Sequence, residues 1–256
     1  MALLNSKIDS LSLSYEHTAT RGIWSFLKKI AFVAVWDATG AVSGVGGAVV
    51  SSLAAVGLLI IYETANNTRS GTLSIPIRHY VNDSITALTN VIPLTSPTSE
   101  DSIGLRHNAL LHQASRDNCT FNPDDSLSTY VAMFDSMYTA KYETTPQSAD
   151  TASLQMMVQV MTRYVNSDFD MSKLCLEIGE MFPRNSDEIA IMETYISNLL
   201  TMTIPGGQSY TVDVLSQIDN SSNDAQVKLT MRRMVLTAYA STKLWNLNGN
   251  AQMIEP

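Results

Sequence analysis

The chain has 256 residues, with 16 Lys and Arg against 24 Asp and Glu and a net charge of −8. Its 16% charged and 45% hydrophobic residues exclude a disordered or collagen-like chain, and its length is enough for one sizeable core. The acidic balance argues against a nucleic-acid partner, because phosphate binding needs a concentrated positive surface. The two cysteines, Cys119 and Cys175, are too few for a disulfide scaffold or a Cys-based zinc site; they either pair or remain free thiols.

Residues 1–29 form a polar, basic segment, and a nearly uncharged run follows from residue 30 to residue 62. Asp37 is the only charged residue in that run. A helix of about 20 apolar residues crosses a bilayer, so the run is long enough for a membrane helix or a helical hairpin. Basic residues precede it and Glu63 follows it, which places the N-terminus in the cytoplasm and the acidic domain outside if the run spans a membrane. Without a span, we expect a cytoplasmic protein.

Small residues recur every four positions in the first half of this run and form two adjacent smooth ridges on a helix. Such ridges let a second helix approach closely, which is the small-xxx-small mode of association. We therefore predict self-association through seven residues: Gly40, Ser43, Gly44, Gly47, Ala48, Ser51 and Ser52. The open alternative is that the same residues allow tight packing inside one soluble helical core.

The same stretch resembles the cofactor loop of short-chain dehydrogenases. Residues 39–46 match its TGxxxGxG pattern after the strand-like Ile30–Trp36, and Tyr239 and Lys243 resemble the YxxxK catalytic pair of that family. The resemblance implies an NAD(P)-dependent enzyme. However, the NNAG motif of the family is missing, and residues 99–245 show helical rather than alternating β/α patterning. We therefore favour a protein that is not an enzyme and needs no cofactor, and keep the dehydrogenase as an alternative.

Two short patches resemble a group of uncharacterised proteins of Bacteroidota. Residues 36–41 lead into the Gly-rich stretch as in an ADxxGA segment, and residues 102–111 are similar to an IGxxHNxxL motif. That group has no established activity. The resemblance therefore implies a bacterial protein of unassigned role rather than an oxidoreductase.

Residues 63–98 are predicted to be a linker with one short helix at 77–92, and residues 99–256 an acidic helical domain. Apolar spacing predicts helices around 103–114, 127–138, 154–165, 189–200 and 227–245. Asn185 and Glu188 form a capping-box pattern before the fourth of these. Residues 204–207 are typical of a turn, and the alternation of residues 210–214 suggests a short strand.

Four polar residues are candidates for a polar site: Asp37, Arg106, His107 and Asn108. His107 lies on the apolar face of its predicted helix, which favours a hydrogen-bonded core histidine. His112 is five residues further on, the wrong spacing for a shared metal ion. We expect Asp37 to be the N-cap of a helix beginning at Ala38, with a functional aspartate inside a membrane as the alternative.

Four carboxylates could in principle hold a hard cation: Asp168, Asp170, Glu177 and Glu180. They lack the alternating oxygen ligands and the central glycine of a calcium loop. We therefore expect a solvated acidic face and no metal site.

These patterns predict a mainly α fold, in which a small-residue-rich hydrophobic helix or helical hairpin precedes a multi-helix domain. The leading functional hypothesis is a non-enzymatic, membrane-associated or self-assembling (oligomeric) protein. Its membrane or self contacts would use residues 30–62, and its acidic helical domain would bind an unknown protein partner. The alternative is a wholly soluble helical binding protein with 30–62 buried as its central hairpin.

Overall fold

The computed structural model describes residues 1–15, 24–41, 47–51, 54–55, 75–79, 81, 102–122, 125–145, 151–165 and 170–244. Within these ranges the fold is mainly α, as predicted. The α-helices with both ends assigned are α1 (Ala2–Ser12), α2 (Trp24–Ala41), α3 (Ile103–Arg116), α4 (Leu127–Tyr142), α5 (Thr151–Val165), α6 (Met171–Met181), α7 (Ser186–Leu199), α8 (Ile204–Asp219) and α9 (Ala225–Leu244).

Helix α2 lies at the centre of the fold. Every side chain from residue 31 to residue 41 is buried. A helix that is apolar on all sides must be surrounded on all sides. Helix α9 provides the largest part of the surroundings of α2, and α7 and α6 also contact it. Helix α9 is itself buried without interruption from Met234 to Ser241. The two helices form the central pair around which the others pack.

The chain folds back on α2 at Gly40. Residues 47–51 are helical and buried. A Cβ atom added at Gly40 would clash with Ser51 Oγ and lie 2.5 Å from the carbonyl oxygen of Gly47. Only a residue without a side chain permits this approach. The described part of the small-residue segment is therefore a tightly packed pair of helical stretches within one chain.

The other helices surround this centre. Helix α3 packs on α9, where a Cβ at Gly104 would lie 2.5 Å from the carbonyl oxygen of Leu236. Helices α6 and α7 pack closely against each other across the short connection 182–185. Helix α5 packs on α6, and α4 contacts both α5 and α3.

Helix α1 is anchored to α7 and α8 by a group of tyrosines. The ring of Tyr210 lies 5.7 Å from the ring of Tyr15 and 5.7 Å from the ring of Tyr195. The Tyr210 hydroxyl donates to the carbonyl oxygen of Ile8 at 3.3 Å, and the Tyr15 hydroxyl donates to Asp213. The start of the chain is thereby fixed to helices that lie almost 200 residues later in the sequence.

The structure corrects several local predictions. Residues 204–207 are the first turn of α8 rather than a loop, because the Thr203 side chain accepts a hydrogen bond from the Gly206 N–H at 3.2 Å and Pro205 fits a first turn. The residues that suggested a strand at 210–214 continue that helix.

Asp37 is not an N-cap, since it lies well inside α2. The predicted capping box is only partly formed. Asn185 is the N-cap of α7, but its side chain makes no capping bond to the backbone and contacts the Glu188 carboxyl group instead.

The predicted helix at 77–92 is also wrong at its start. Residues 75–76 form a strand, β1, which pairs antiparallel with β2 at 120–121, and residues 77–79 form a 3-10 turn. Most of the remaining predicted helix and of the predicted linker lies outside the described residues. Where the structure describes the chain, no helix combines the length and apolar character needed to cross a membrane.

Candidate functional site

Three of the four predicted polar-site residues come together in the core, between α2, α3 and α9. His107 Nε2 lies 3.7 Å from Asp37 Oδ2, and His107 Nδ1 lies 2.8 Å from Asn108 Oδ1. The Asn108 amide group donates to the carbonyl oxygen of Ala240 at 2.9 Å. Asp37 and His107 are 0% exposed, so this is a fully buried polar network. It links the central pair of helices to α3.

Burial controls the protonation of this network. It lowers the pKa of His107 to about 4, and the hydrogen bond with Asn108 acts in the opposite direction. The imidazole is therefore neutral at neutral pH. Because the ring is fully enclosed, the arrangement positions three helices rather than presenting a reactive group to a solute. The prediction of a hydrogen-bonded core histidine is confirmed.

Arg106, the fourth candidate, points away from this network towards α4. Its guanidinium group donates to the Tyr138 hydroxyl at 2.6 Å. It also lies 5.8 Å from the centre of the Tyr138 ring and 5.2 Å from that of Tyr142. Such cation–π contacts stabilise the packing of α3 on α4.

Four of the seven predicted self-association residues are described, and all four are buried: Gly40, Gly47, Ala48 and Ser51. Ser43, Gly44 and Ser52 lie outside the described residues. Gly40 uses its missing side chain for contact with 47–51 of the same chain. Self-association between chains remains a prediction.

The features that resembled a dehydrogenase take other roles. Ile30–Trp36, the strand required before the cofactor loop, lies within helix α2. Tyr239 is buried, and burial raises its pKa to about 12, which does not suit a tyrosine that exchanges protons near neutral pH. Lys243 Nζ lies 4.8 Å from the centre of the Tyr239 ring, a packing contact within one helix.

A groove between α6 and α7 is the feature that sequence reasoning missed. Its volume is about 490 Å³, within the range of ligand-binding pockets. Both helices contribute, as does the connection between them; the lining residues are Ser172, Cys175, Leu176, Gly179, Glu180, Pro183, Ser186, Ala190 and Glu193.

The helical period explains how these residues share one groove. On α6 the lining positions follow spacings of three and four residues, and on α7 they are Ser186, Ala190 and Glu193, which follow the same rule. The small residues Gly179 and Ala190 leave space between the helices. Leu176 is 63% exposed and adds an apolar wall. Ligand-binding pockets are typically concave and lined mainly by apolar side chains, and Leu176 contributes to such a lining.

Two carboxylates provide the charges of the groove lining. Glu193 Oε1 accepts a hydrogen bond from the Ser172 hydroxyl at 2.6 Å, which places Glu193 level with the start of α6. Glu180 lies near the other end of that helix, next to the connection to α7. The groove is therefore apolar in its middle and acidic towards both ends.

Among the described residues, no side chains in or around the groove are arranged as a nucleophilic or metal centre. Burial, with the nearby Glu193 carboxylate, raises the pKa of the Cys175 thiol, so it stays protonated and unreactive. Cys175 and Cys119 are both free cysteines. In the part of the chain that the structure describes, no three His, Cys, Asp or Glu side chains converge as metal ligands would.

The carboxylates singled out from the sequence have separate roles. Asp170 is the N-cap of α6, where its side chain accepts a hydrogen bond from the Lys173 N–H at 3.2 Å. Glu177 lies 3.4 Å from the Arg163 guanidinium group of α5, and Glu180 lines the groove. Asp168 lies outside the described residues.

The sequence contained one hint of the groove. Leu176, Gly179 and Glu180 share a helical face that has too few large apolar side chains to be a core-facing surface. The matching face of α7 becomes evident only when the two helices are paired. Comparisons with protein-family models, with curated proteins and with solved structures find no match to this chain.

Proposed function

We propose that this chain is a non-enzymatic helical binding protein whose acidic domain takes a protein partner into the groove between α6 and α7. The observation that carries the proposal is the open groove of about 490 Å³ with exposed Leu176 as its wall. Helix-in-groove recognition uses an apolar depression of this kind, in which one partner presents its apolar face.

The contrast with the polar network supports a binding role for the groove. His107 and Asp37 are enclosed in the core, whereas Leu176 and Ala190 are exposed on neighbouring helices. A partner that covers these side chains removes apolar surface from water, and such burial drives most protein–protein association.

Selection of displayed peptides tests this proposal. A random peptide library is selected on the full chain and then counter-selected on Ala190→Trp, which fills the groove from an exposed position. Ala132→Trp is the matched control, because Ala132 is an exposed alanine on α4, outside the groove. We expect peptides that bind the wild-type chain and the control and lose affinity at least tenfold for Ala190→Trp.

A folded Ala190→Trp variant that binds every selected peptide as well as the wild type would contradict the proposal, and so would a selection that enriches no peptide. Leu176→Ser serves as a second variant, because it removes the apolar wall without adding bulk. Thermal unfolding by circular dichroism verifies that each variant is folded.

Membrane association or self-assembly through residues 30–62 is a second candidate function. The supporting observation is the close helix contact at Gly40, where small residues bring two helical stretches together as small-xxx-small ridges do. Expression of the full chain, membrane pelleting and an alkaline carbonate wash test it. Retention in the pellet supports an integral segment, and release as a monodisperse monomer contradicts both membrane insertion and stable self-assembly.

A further inference from the structure

We infer that the partner segment is a basic amphipathic helix with an apolar centre between two cationic side chains. This inference rests on the proposed binding function of the groove between α6 and α7. It follows from where the charges and the apolar surface of the groove lie relative to each other.

The two lining carboxylates lie at different levels along the groove. Glu193 is level with Ser172, to which it is hydrogen-bonded at 2.6 Å, and Glu180 lies eight residues further along α6. At 1.5 Å per residue, the two carboxylates are separated by about 12 Å along the helix axis. Cations seven residues apart on a facing helix are separated by about 10.5 Å along its axis and lie on one side of it.

The apolar part of the groove lies between these levels. Leu176 and Gly179 of α6 fall between Ser172 and Glu180, and Ala190 faces them from α7. A helical partner therefore needs apolar side chains three and four residues after its first cation. Those positions lie on the same face of the helix as the two cations. The open space beside Gly179 and Ala190 accepts a branched side chain such as leucine.

The surroundings favour a cationic partner over an acidic or neutral one. From Asp170 to Leu199 the chain carries six acidic and two basic side chains, and the ion pair of Glu177 with Arg163 of α5 leaves a net −3. The basic residues are Lys173 and Arg184, both exposed and neither of them lining the groove. Complementary charge raises the association rate and selects among partners with similar apolar faces.

Fluorescence anisotropy with designed peptides tests the inference on the full chain. The basic probe is a helical peptide of about 15 residues with Lys at two positions seven apart and Leu three and four positions after the first Lys. One control peptide replaces both Lys by Glu, and a second replaces both Leu by Ser. The protein variants are Glu180→Gln with Glu193→Gln, and Ala190→Trp. Their matched controls are Asp117→Asn, an exposed carboxylate outside the groove, and Ala132→Trp.

We expect the basic peptide to bind at least tenfold more tightly than the Glu peptide at low salt, and this preference to shrink as salt is added. Glu180→Gln with Glu193→Gln should remove most of the preference, and Asp117→Asn should leave it. Ala190→Trp and the Ser peptide should each lose binding, while Ala132→Trp retains it.

Two results separate failure of the inference from failure of the proposed function. If the basic and Glu peptides bind equally well and both lose binding to Ala190→Trp, the inference of a basic partner is overturned. The proposal that the groove binds a partner then still stands. Binding of neither peptide, together with no groove-dependent peptide in the selection, would overturn both. Concentration-dependent self-association that Ala190→Trp abolishes would assign the groove to a second copy and likewise overturn the inference.

Discussion

Gly40 and Gly179 are both glycines within helices that face a neighbouring helix, yet their surroundings are opposite. At Gly40 the neighbouring backbone occupies the place of a side chain, with Gly47 O 2.5 Å from an added Cβ. At Gly179 the nearest atom to an added Cβ is Ser186 Cβ at 3.6 Å, and the space beyond is the groove. In the centre of this molecule a helical glycine lets two helical stretches pack in contact, whereas at the surface it leaves space between two helices.

Carboxylates show the same contrast between the two regions. Asp37 lies in the core beside His107, where burial makes every polar contact expensive to lose. Glu180 and Glu193 lie at the surface, where water and salt screen them and where a charged partner can reach them. Changes in the core should therefore alter stability, and changes at the groove should alter binding.

The largest expected effect is that of His107→Leu. It leaves the Asp37 carboxyl group in the core without its imidazole neighbour and Asn108 Oδ1 without its contact. Removing one member of a buried polar contact leaves its partner unsatisfied, which costs about 1–3 kcal/mol in the free energy of unfolding and more where that partner is a carboxylate. Urea unfolding followed by circular dichroism measures the change.

Asp37→Leu combined with His107→Leu is the matched control for this prediction. Apolar replacement of both members of a buried pair costs much less than loss of one. The double variant should therefore be more stable than His107→Leu alone. Strictly additive losses would show that the two side chains are energetically independent.

The pH dependence of stability is the next largest expected effect. The pKa of His107 falls from 6.5 to about 4 on folding, so the unfolded chain binds a proton between these pH values that the folded chain does not. The stabilisation is complete above pH 6.5 and is lost as the pH falls towards 4, by about 3 kcal/mol. Urea unfolding of the wild type and His107→Leu between pH 5 and 7 measures the difference; identical slopes would contradict the assignment.

Glycine-to-alanine changes give the smallest effects and the most direct comparison of the two regions. Gly40→Ala and Gly104→Ala force a Cβ onto neighbouring backbone and should destabilise the fold by about 1–3 kcal/mol. Gly179→Ala meets only ordinary contacts and should stabilise α6 by about 0.5–1 kcal/mol. Thermal unfolding of the three variants measures these changes, and equal losses at Gly40 and Gly179 would remove the contrast.

Apolar periodicity predicted α3, α4, α5, α7 and α9, because the apolar residues of each of these helices recur at helical spacing. It missed α8, since Pro205, Gly206 and Gly207 are typical of turns. Only the hydrogen bond that the Thr203 side chain accepts from the Gly206 N–H shows that a helix begins there. It also missed α1, a short helix in which Leu4 and Ile8 are the buried apolar side chains.

The site was less predictable than the fold. The core role of His107 followed from its helical face, but its contact with Asp37 joins residues 70 positions apart and needs the tertiary structure. Asp37 resembled an N-cap because it is a lone aspartate in an apolar run, where a helix end gives it an ordinary role; in the structure α2 continues past it to Ala41 and packs on α9. The groove depends on how α6 pairs with α7, which no single-helix pattern contains.

The central position of α2 has a consequence for synthesis of the chain. Its main partner, α9, begins about 180 residues after α2 ends. At about 5–20 residues per second, the ribosome makes α9 roughly ten to forty seconds after α2 has emerged. During that interval α2, the most apolar of helices α1 to α9, lacks the surface that later encloses it. Transiently exposed apolar surface is prone to aggregate, so α2 is the surface that chaperones would have to cover until α9 has been made.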